Sequence, residues 1–544
     1  MSKCALLLLV ISSALAEAPS ASDSGREWNV RRHSKAHHRG HKGAAAIQAD
    51  VCVYAGTSAG VVAAAEAARL GKTVVLAEPG NHLGGMSSGG LGATDTGTIA
   101  AIGGISREFY RRIGQHYGVG ERFTFEPHVA EQVFQDLIAE AGVPVYFQER
   151  LASVQKDGTR ITQIAMESGD VFRASMFIDA TYEGDLMARA GVSYVVGRES
   201  NATYGETLNG IRSGAAGHQF SVAVDPYLEP GNPDSGLLPF VQDDTGGAVG
   251  QGDARIQAYN FRLCLTQNPA IRVPVDPPAD YNPDRYELLA RYLEARVAAG
   301  QSTALSNFMN ISAMPNGKTD VNNNGGFSTD FIGGNWDYPD ADYQTRAGIR
   351  DAHESYTRGL LTFLATSPRV PDGLRSQMQS WGLCGDEFPD TGGWPHQLYV
   401  REARRMVSDY VMTERNCRSQ LTATDSVGLA SYTMDTHNAQ RIARSGRAFN
   451  EGDVQTGVPQ PYPISYRSII PTASECENLL LPVTLSASHV AHGSIRMEPV
   501  FMILGHSAAA AASLAIDGGT SVQSVDIDAL QAQLLAENQI LAWN

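Results

Sequence analysis

The chain has 544 residues, with 42 Lys+Arg against 58 Asp+Glu and a formal net charge of −16. Hydrophobic residues make up 43% and charged residues 18%, which is enough apolar content for a packed core and excludes a disordered chain. Six Cys in this length exclude a small disulfide-stapled scaffold, and the acidic balance argues against a general nucleic-acid or anionic-membrane binder.

Lys3, an apolar run over 4–11 and the small-x-small triplet Ala14, Leu15, Ala16 follow the order of a secretory signal peptide, residues 1–16. Residues 17–46 interleave Arg26, Arg31, Arg32, Lys35, Arg39 and Lys42 with His33, His37, His38 and His41. This basic, His-rich leader cannot bury a core and is read as disordered. No later run approaches the roughly 20 apolar residues of a membrane span. The expectation is an exported protein with no membrane span, acting on a small molecule, its oligomeric state open. Without Cys4, five Cys remain, so one thiol stays unpaired; Cys52 reads as buried, and Cys384 with Cys417 as a plausible bridge. Asn201 and Asn310 open acceptor sequons.

The folded body opens with a short β-branched-rich strand over 50–54. A turn of small residues follows, Ala55, Gly56, Thr57, Ser58, Ala59 and Gly60, then an Ala-rich helix over 61–70 and a second strand over 72–77 ending at Glu78. This is the βαβ dinucleotide-binding pattern: small residues admit a pyrophosphate to the backbone, and the helix start offers free N–H groups. Glu78, 23 positions after Ala55, stands where a carboxylate holds the adenosine ribose. Ala55 and Thr57 replace the first two glycines of G-x-G-x-x-G.

Pro79 leads into a second Gly-rich run that includes Gly84, Gly85, Met86 and Ser87. An NAD-only domain needs no such run; one beneath an extended FAD does. A strand over 171–178 ends in Asp179, Ala180 and Thr181. Near the C-terminus a strand reads over 477–484, and an Ala-rich helix over 500–516. Arg496 and Met497 precede that helix, whose N-terminus suits a flavin carbonyl. The expected fold is α/β: a discontinuous Rossmann-like FAD-binding domain, 47–200 plus 470–544, with an inserted α+β substrate domain over 201–469.

The segments 56–60, 82–92, 179–185, 318–324, 399–405 and 488–497, in this order, resemble the FAD-dependent oxidoreductase family, a glutathione-reductase-like FAD-binding group often labelled xanthan-lyase-like. The resemblance covers residues 49–535. It implies FAD held without a covalent bond and a redox reaction, and it names no substrate.

No C-x-x-C pair follows the Gly-rich run, so a disulfide reductase is not expected, and no second NAD(P)H unit is visible. Hydride transfer to a flavin needs a base, and His489, His492 and His437 are the candidates. Arg496 is a candidate for stabilising anionic reduced flavin, with a salt bridge to Glu498 as its structural alternative. Residues 401–405 follow a helical pattern that reads as an ion-pair face, and 318–324 as an Asn-rich loop over the active site. The latter is no calcium loop, because Phe331 stands where the bidentate Glu belongs. No metal site is expected. The leading reading is a secreted FAD-dependent oxidase or dehydrogenase acting on an alcohol, sugar or amine. A lyase or isomerase that keeps FAD structurally, and a binding protein, stay open.

Overall fold

The computed structural model describes residues 46–212 and 217–543. The signal peptide and all but the last residue of the leader lie outside the described residues.

The chain enters as strand β1 (Ile47–Tyr54), helix α1 (Ser58–Arg69) and strand β2 (Val74–Glu78). Helices α2 (Gly104–His116) and α3 (Pro127–Ala141) follow, then β3 (Val145–Phe147), β4 (Leu151–Asp157), β5 (Arg160–Met166) and β6 (Val171–Asp179). These strands form one sheet in the order β3-β2-β1-β6-β5-β4. β1 runs parallel to both β2 and β6, with Val51 opposite Val74 and Met176. Central parallel strands are buried on both faces and therefore read as continuous apolar runs. Val51 and Val53 pack into the core that holds α1, whereas Cys52 and Tyr54 face Leu151, Phe177 and Leu479 on the other side.

The middle of the chain builds a second, antiparallel sheet from β7 (Leu263–Thr266), β8 (Arg272–Val273), β9 (Met309–Ala313), β10 (Lys318–Asn323) and, after the long helix α4 (Tyr343–Thr366), β11 (Gly382–Cys384). Their order is β9-β10-β7-β11-β8. Residues 318–323 are thus an inner strand and not a loop. Lys318 to Val321 are buried, and Asp320 meets Arg262. Residues 401–404 are not helical. They run as irregular backbone into a two-residue strand, Arg405–Met406, that pairs with Tyr194–Val195. The charges there point inward, so the 3.6-residue pattern misled.

Strand β12 (Met434–Thr436) precedes the return to the first sheet, where β13 (Leu479–Leu480) pairs parallel with β6. Only these two residues of the strand expected over 477–484 are extended in a ladder. Helices α5 (His489–Ile495), α6 (Glu498–Gly518) and α7 (Ile527–Ala536) complete the body. Contrary to the sequence reading, α6 is long and apolar enough to cross a membrane, but nearly all of it is buried within the protein against α1 and α2. The five described cysteines are all free and buried. Cys384 lies beside Cys264, 3.1 Å between sulfurs, and not beside Cys417. Cys417 is held instead on a short helix against Tyr462.

The α1–α6 contact depends on one glycine. A Cβ on Gly505 would stand 2.3 Å from the carbonyl oxygen of Ala59. Backbone blocks that approach and cannot rotate away. Gly505→Ala is expected to cost roughly 1–3 kcal/mol or more by forcing the helices apart. Gly518→Ala, with no neighbour nearer than 3.5 Å, is expected to be neutral or up to about 1 kcal/mol stabilising. Chemical denaturation of the two variants checks this contrast.

Candidate active site

The turn between β1 and α1 is built from small residues in restricted conformations. Ala55 has φ +76°, a left-handed conformation that favours glycine. A Cβ on Gly60 would stand 1.9 Å from the Ala55 carbonyl oxygen, so only glycine closes this turn. Thr57 caps α1: its hydroxyl accepts from the Gly60 amide and donates to the Ala180 carbonyl at 2.8 Å. The threonine in place of a glycine therefore ties the turn to the end of β6. The buried amide of Ala59 has no acceptor among the described residues. An unpaired donor at a helix N-terminus suits a phosphate.

Glu78 ends β2 and accepts from the amides of Gly56 at 2.6 Å and Gly80 at 2.5 Å. Burial pushes its carboxyl up to about 7, and those two hydrogen bonds offset only part of the effect. Pro79 continues the chain to Gly84 (φ +102°) and Gly85 (φ +55°). The amide of Gly84 donates to the Gly56 carbonyl at 2.7 Å, which brings the two Gly-rich runs together. The Met86 amide donates to the Tyr182 hydroxyl at 2.9 Å. Asp179 serves the local turn: its oxygens accept from Thr181 and from the Met187 amide. The unpaired amide, the glycine-only turn and the carboxylate at the end of β2 together fit an extended dinucleotide.

Glu498 was expected at most as a partner of Arg496. It is instead the first residue of α6, buried beside the start of α1. Its carboxylate accepts from Ser58 at 2.5 Å, Tyr182 at 2.8 Å and Ser87 at 3.4 Å. Arg496 turns the other way, donating to the Tyr399 hydroxyl at 2.8 Å and to Asp435 at 3.1 Å. Met497 is the N-cap of α6.

The second half of the site is a buried network around α5. His489 is the first residue of that helix, and its Nδ1 lies 2.7 Å from Glu402 Oε2. Gln257 donates to the same oxygen at 2.8 Å and accepts the His437 amide at 3.1 Å, so one side chain spans both histidines' surroundings. Burial alone would raise the Glu402 carboxyl. His489, facing it through a hydrogen bond, and the Arg405 guanidinium outweigh it, and the group is held well below the usual carboxylate range. An ionised Glu402 places a proton on His489 Nδ1 and leaves Nε2 as the basic atom of the neutral ring. Nε2 has no hydrogen-bond partner among the described residues.

His437 is placed differently. Its Nδ1 meets Asp330 at 2.7 Å and its Nε2 lies 3.6 Å from Asp435, so both nitrogens face carboxylates. His492 meets no carboxylate. Burial pushes its pKa down to about 3, its Nε2 sits 3.4 Å from the Val483 carbonyl, and its Nδ1 is unpartnered. Three guanidinium groups, those of Arg262, Arg401 and Arg496, lie 4.7–5.9 Å from the Tyr399 ring centre. Arg401 Nε and Arg496 Nε have no hydrogen-bond partner among the described residues, and Arg262 Nη1 has only Asp95 at 3.9 Å. Among the described residues, two carboxylate–histidine clusters elsewhere are close enough to hold an ion, one of them Glu66, His506 and Glu537. In the other, Glu126 with His128 and Glu387, the Lys318 ammonium already stands where a cation would.

A parallel sheet with a small-residue turn, a carboxylate closing the second strand, and a C-terminal helix returning to that turn define a dinucleotide-binding flavoprotein. The chain belongs to the FAD dependent oxidoreductase family, whose model matches residues 50–534. Membership of that family assigns FAD as its cofactor. No curated protein matches it. Among solved structures it is similar to the 3-ketosteroid-Δ4-(5α)-dehydrogenase of Rhodococcus jostii RHA1, at 16% identity over 26% of this chain and 48% of that one, TM-score 0.19. The L-amino acid deaminase of Proteus vulgaris gives 18% identity over 26% and 55%, TM-score 0.21. The flavin-containing monooxygenase of Stenotrophomonas maltophilia gives 15% over 29% and 44%, TM-score 0.20. The chain spans about half the length of these proteins, and likeness at this level carries no argument about reaction or substrate.

Sequence reasoning missed Glu402, Gln257 and Glu498. Glu402 was assigned to a helical ion-pair face, although an inward Glu and an α5 histidine are the familiar elements of a base and its orienting acid. Glu498 has a direct consequence. Burial pushes its carboxyl from the ordinary 4.5 up to about 7, and the hydrogen bonds from Ser58, Tyr182 and Ser87 offset only part. The folded cofactor-free protein therefore holds a proton that the unfolded chain releases between those values. Stability from this group is full below about pH 4.5 and is lost as pH rises towards 7, on the order of 3 kcal/mol. Glu498→Gln should match the wild type near pH 5 and melt higher at pH 8. Glu78 keeps part of the slope. Parallel melting curves for the two proteins across that range would refute the assignment.

Proposed function

We propose that the protein oxidises a small organic substrate by hydride transfer, with His489 as the base that removes the substrate's O–H or N–H proton. The observation that carries this reading is the Glu402–His489 pair, 2.7 Å apart and buried, with Nε2 left free. Bound FAD supplies the hydride acceptor. The residues that would hold it are Gly56 to Gly60, Glu78, Gly84 to Ser87 and the start of α6.

Glu402 acts on His489 in two ways. It fixes the tautomer through Nδ1, and it stabilises the imidazolium formed when Nε2 takes a proton. Arg405 and Gln257 hold Glu402 in place, Arg405 Nε lying 2.8 Å from Glu402 Oε1. Arg496, anchored by Asp435 and Tyr399, keeps a positive charge and an unpaired donor at the entry to α6. That placement favours negative charge developing nearby during the transfer. His437, clamped between two aspartates, is read as a positioning residue and His492 as a neutral structural one. An alcohol, a sugar or an amine satisfies this chemistry. The reading extends to export, supported by the charge, apolar run and small-x-small triplet of residues 3–16.

Anaerobic mixing of the holoenzyme with alcohols, polyols, amines and hydroxy acids should bleach the flavin with at least one class. His489→Asn should retain bound FAD and slow bleaching by about 10²- to 10⁴-fold. Undiminished bleaching in that variant removes His489 as the base, and a wild-type protein that bleaches with none of the classes argues against the redox reading. The mature N-terminus of exported protein is expected just after Ala16 or at a later processing site, and peptide sequencing locates it.

A further inference from the structure

We propose that Cys264 and Cys384 are joined by a cross-strand disulfide in the mature protein. Cys264 lies in β7 and Cys384 ends β11, and these strands are antiparallel neighbours with Gly382 opposite Thr266 and Leu383 opposite Leu265. The next step of that register sets Cys384 directly across from Cys264. Opposed residues of an antiparallel pair have Cα atoms about 4.5 or 5.5 Å apart, and both spacings fall inside the range a disulfide spans. The sulfurs are 3.1 Å apart, so both side chains already point at each other on one face of the sheet. Bond formation needs an approach of roughly 1 Å, which side-chain rotation supplies without moving a strand.

The surroundings agree. The two cysteines form a small apolar cluster with Met314 and Phe388, and both are fully buried. No zinc-like set surrounds them, and neither sulfur faces the proposed base. Burial raises the Cys264 thiol well above its ordinary range, so oxidation of the finished fold is slow. Pairing therefore occurs while β11 docks, when a thiolate is still exposed. The balanced step is thiol–disulfide exchange with a small-molecule disulfide such as oxidised glutathione. One protein thiolate attacks it and releases one glutathione thiolate. The second protein thiolate attacks the mixed disulfide and releases the other. Two protein thiols are oxidised and one oxidised glutathione is reduced to two thiols.

The bond would close a loop of more than one hundred residues that includes β10 and α4, and would fix β11 just before Glu387, whose carboxylate meets Lys318 of β10 at 2.6 Å. The chain from there runs to Tyr399 and Glu402. The proposal rests on the export reading only for where the oxidant is met, and the experiment separates the two. The full chain is refolded with FAD in a mixture of reduced and oxidised glutathione, then alkylated in denaturant and mapped by mass spectrometry. The expected result is a 264–384 linked peptide, with Cys52, Cys417 and Cys476 alkylated. The linked form should melt ~5 °C or more above the Cys264→Ala/Cys384→Ala double variant. Folded, FAD-loaded protein with both cysteines alkylated, or with Cys384 linked to Cys417, overturns the pairing. Export is read separately, from whether secreted material carries the same link: a linked refolded protein that is never secreted leaves the pairing standing and removes export.

Discussion

A charge taken out of water must meet an opposite charge or shift its protonation, and the segment from Tyr399 to Arg405 puts four charges inside the protein. Arg401 meets Asp330. Glu402 meets His489 and Arg405. Arg404 meets Asp185 and Asp340. Arg405 also meets Glu199. Each partner comes from a different stretch of chain. Asp185 follows β6 of the first sheet, Asp330 follows β10 of the second, and His489 begins α5 at the C-terminal return. Removing one partner strands a buried charge, a cost of about 3–5 kcal/mol in comparable cases. The irregular segment thus works as a junction at which the first sheet, the second sheet and the C-terminal return are held in one geometry.

This junction also shows why the two halves of the site differed in legibility. The cofactor half depends on local rules: a strand, a turn of small residues, a helix start and a carboxylate at a fixed distance. Those rules act within some thirty residues, and β1, α1, β2 and Glu78 were readable directly. Ala55 and Thr57 broke the glycine pattern, but the structure shows how each was absorbed, Ala55 by a left-handed backbone and Thr57 by a cap and a bond to Ala180. The substrate half depends on partners 60 to 300 residues apart, and no periodicity records which buried charge will meet which. Residues 401–405 have a helix-like alternation and strong charge, so a helical ion-pair face was the natural reading. It failed because the partners that make burial tolerable lie elsewhere in the chain. The Asn-rich 318–323 segment failed similarly: polar residues in an inner strand look like a loop until the Arg262 guanidinium is seen to pair with Asp320.

The acidic composition now has a definite structural meaning. The phosphates of FAD have no cluster of lysines waiting for them at the β1–α1 turn. The start of α1 offers them backbone donors, and the Glu498 carboxyl beside it is pushed by burial towards neutrality, while Glu78 stands where the ribose is expected. A carboxyl that keeps its proton beside a phosphate is a donor and not a repelling charge. Burial therefore makes acidic residues compatible with an anionic cofactor.

The same economy appears in the twelve residues from Ala487 to Glu498. Within this stretch the chain supplies the Ser488 cap, the proposed base His489, the guanidinium of Arg496 and the carboxyl that meets α1. Ser488 and the His489 amide are each held by a carboxylate from the stretch just after β6, Glu206 at 2.6 Å and Glu199 at 3.0 Å. Glu498 is held by the first sheet's turn. The base and the start of α6 are thus spaced by a single short helix, α5, with one end fixed to each part of the molecule. A rigid helix converts a distance along the chain into a fixed distance in space. The distance from the proposed base to the start of α6 is then set by the length of α5, and that geometry survives so long as the buried charges at its first residue stay paired.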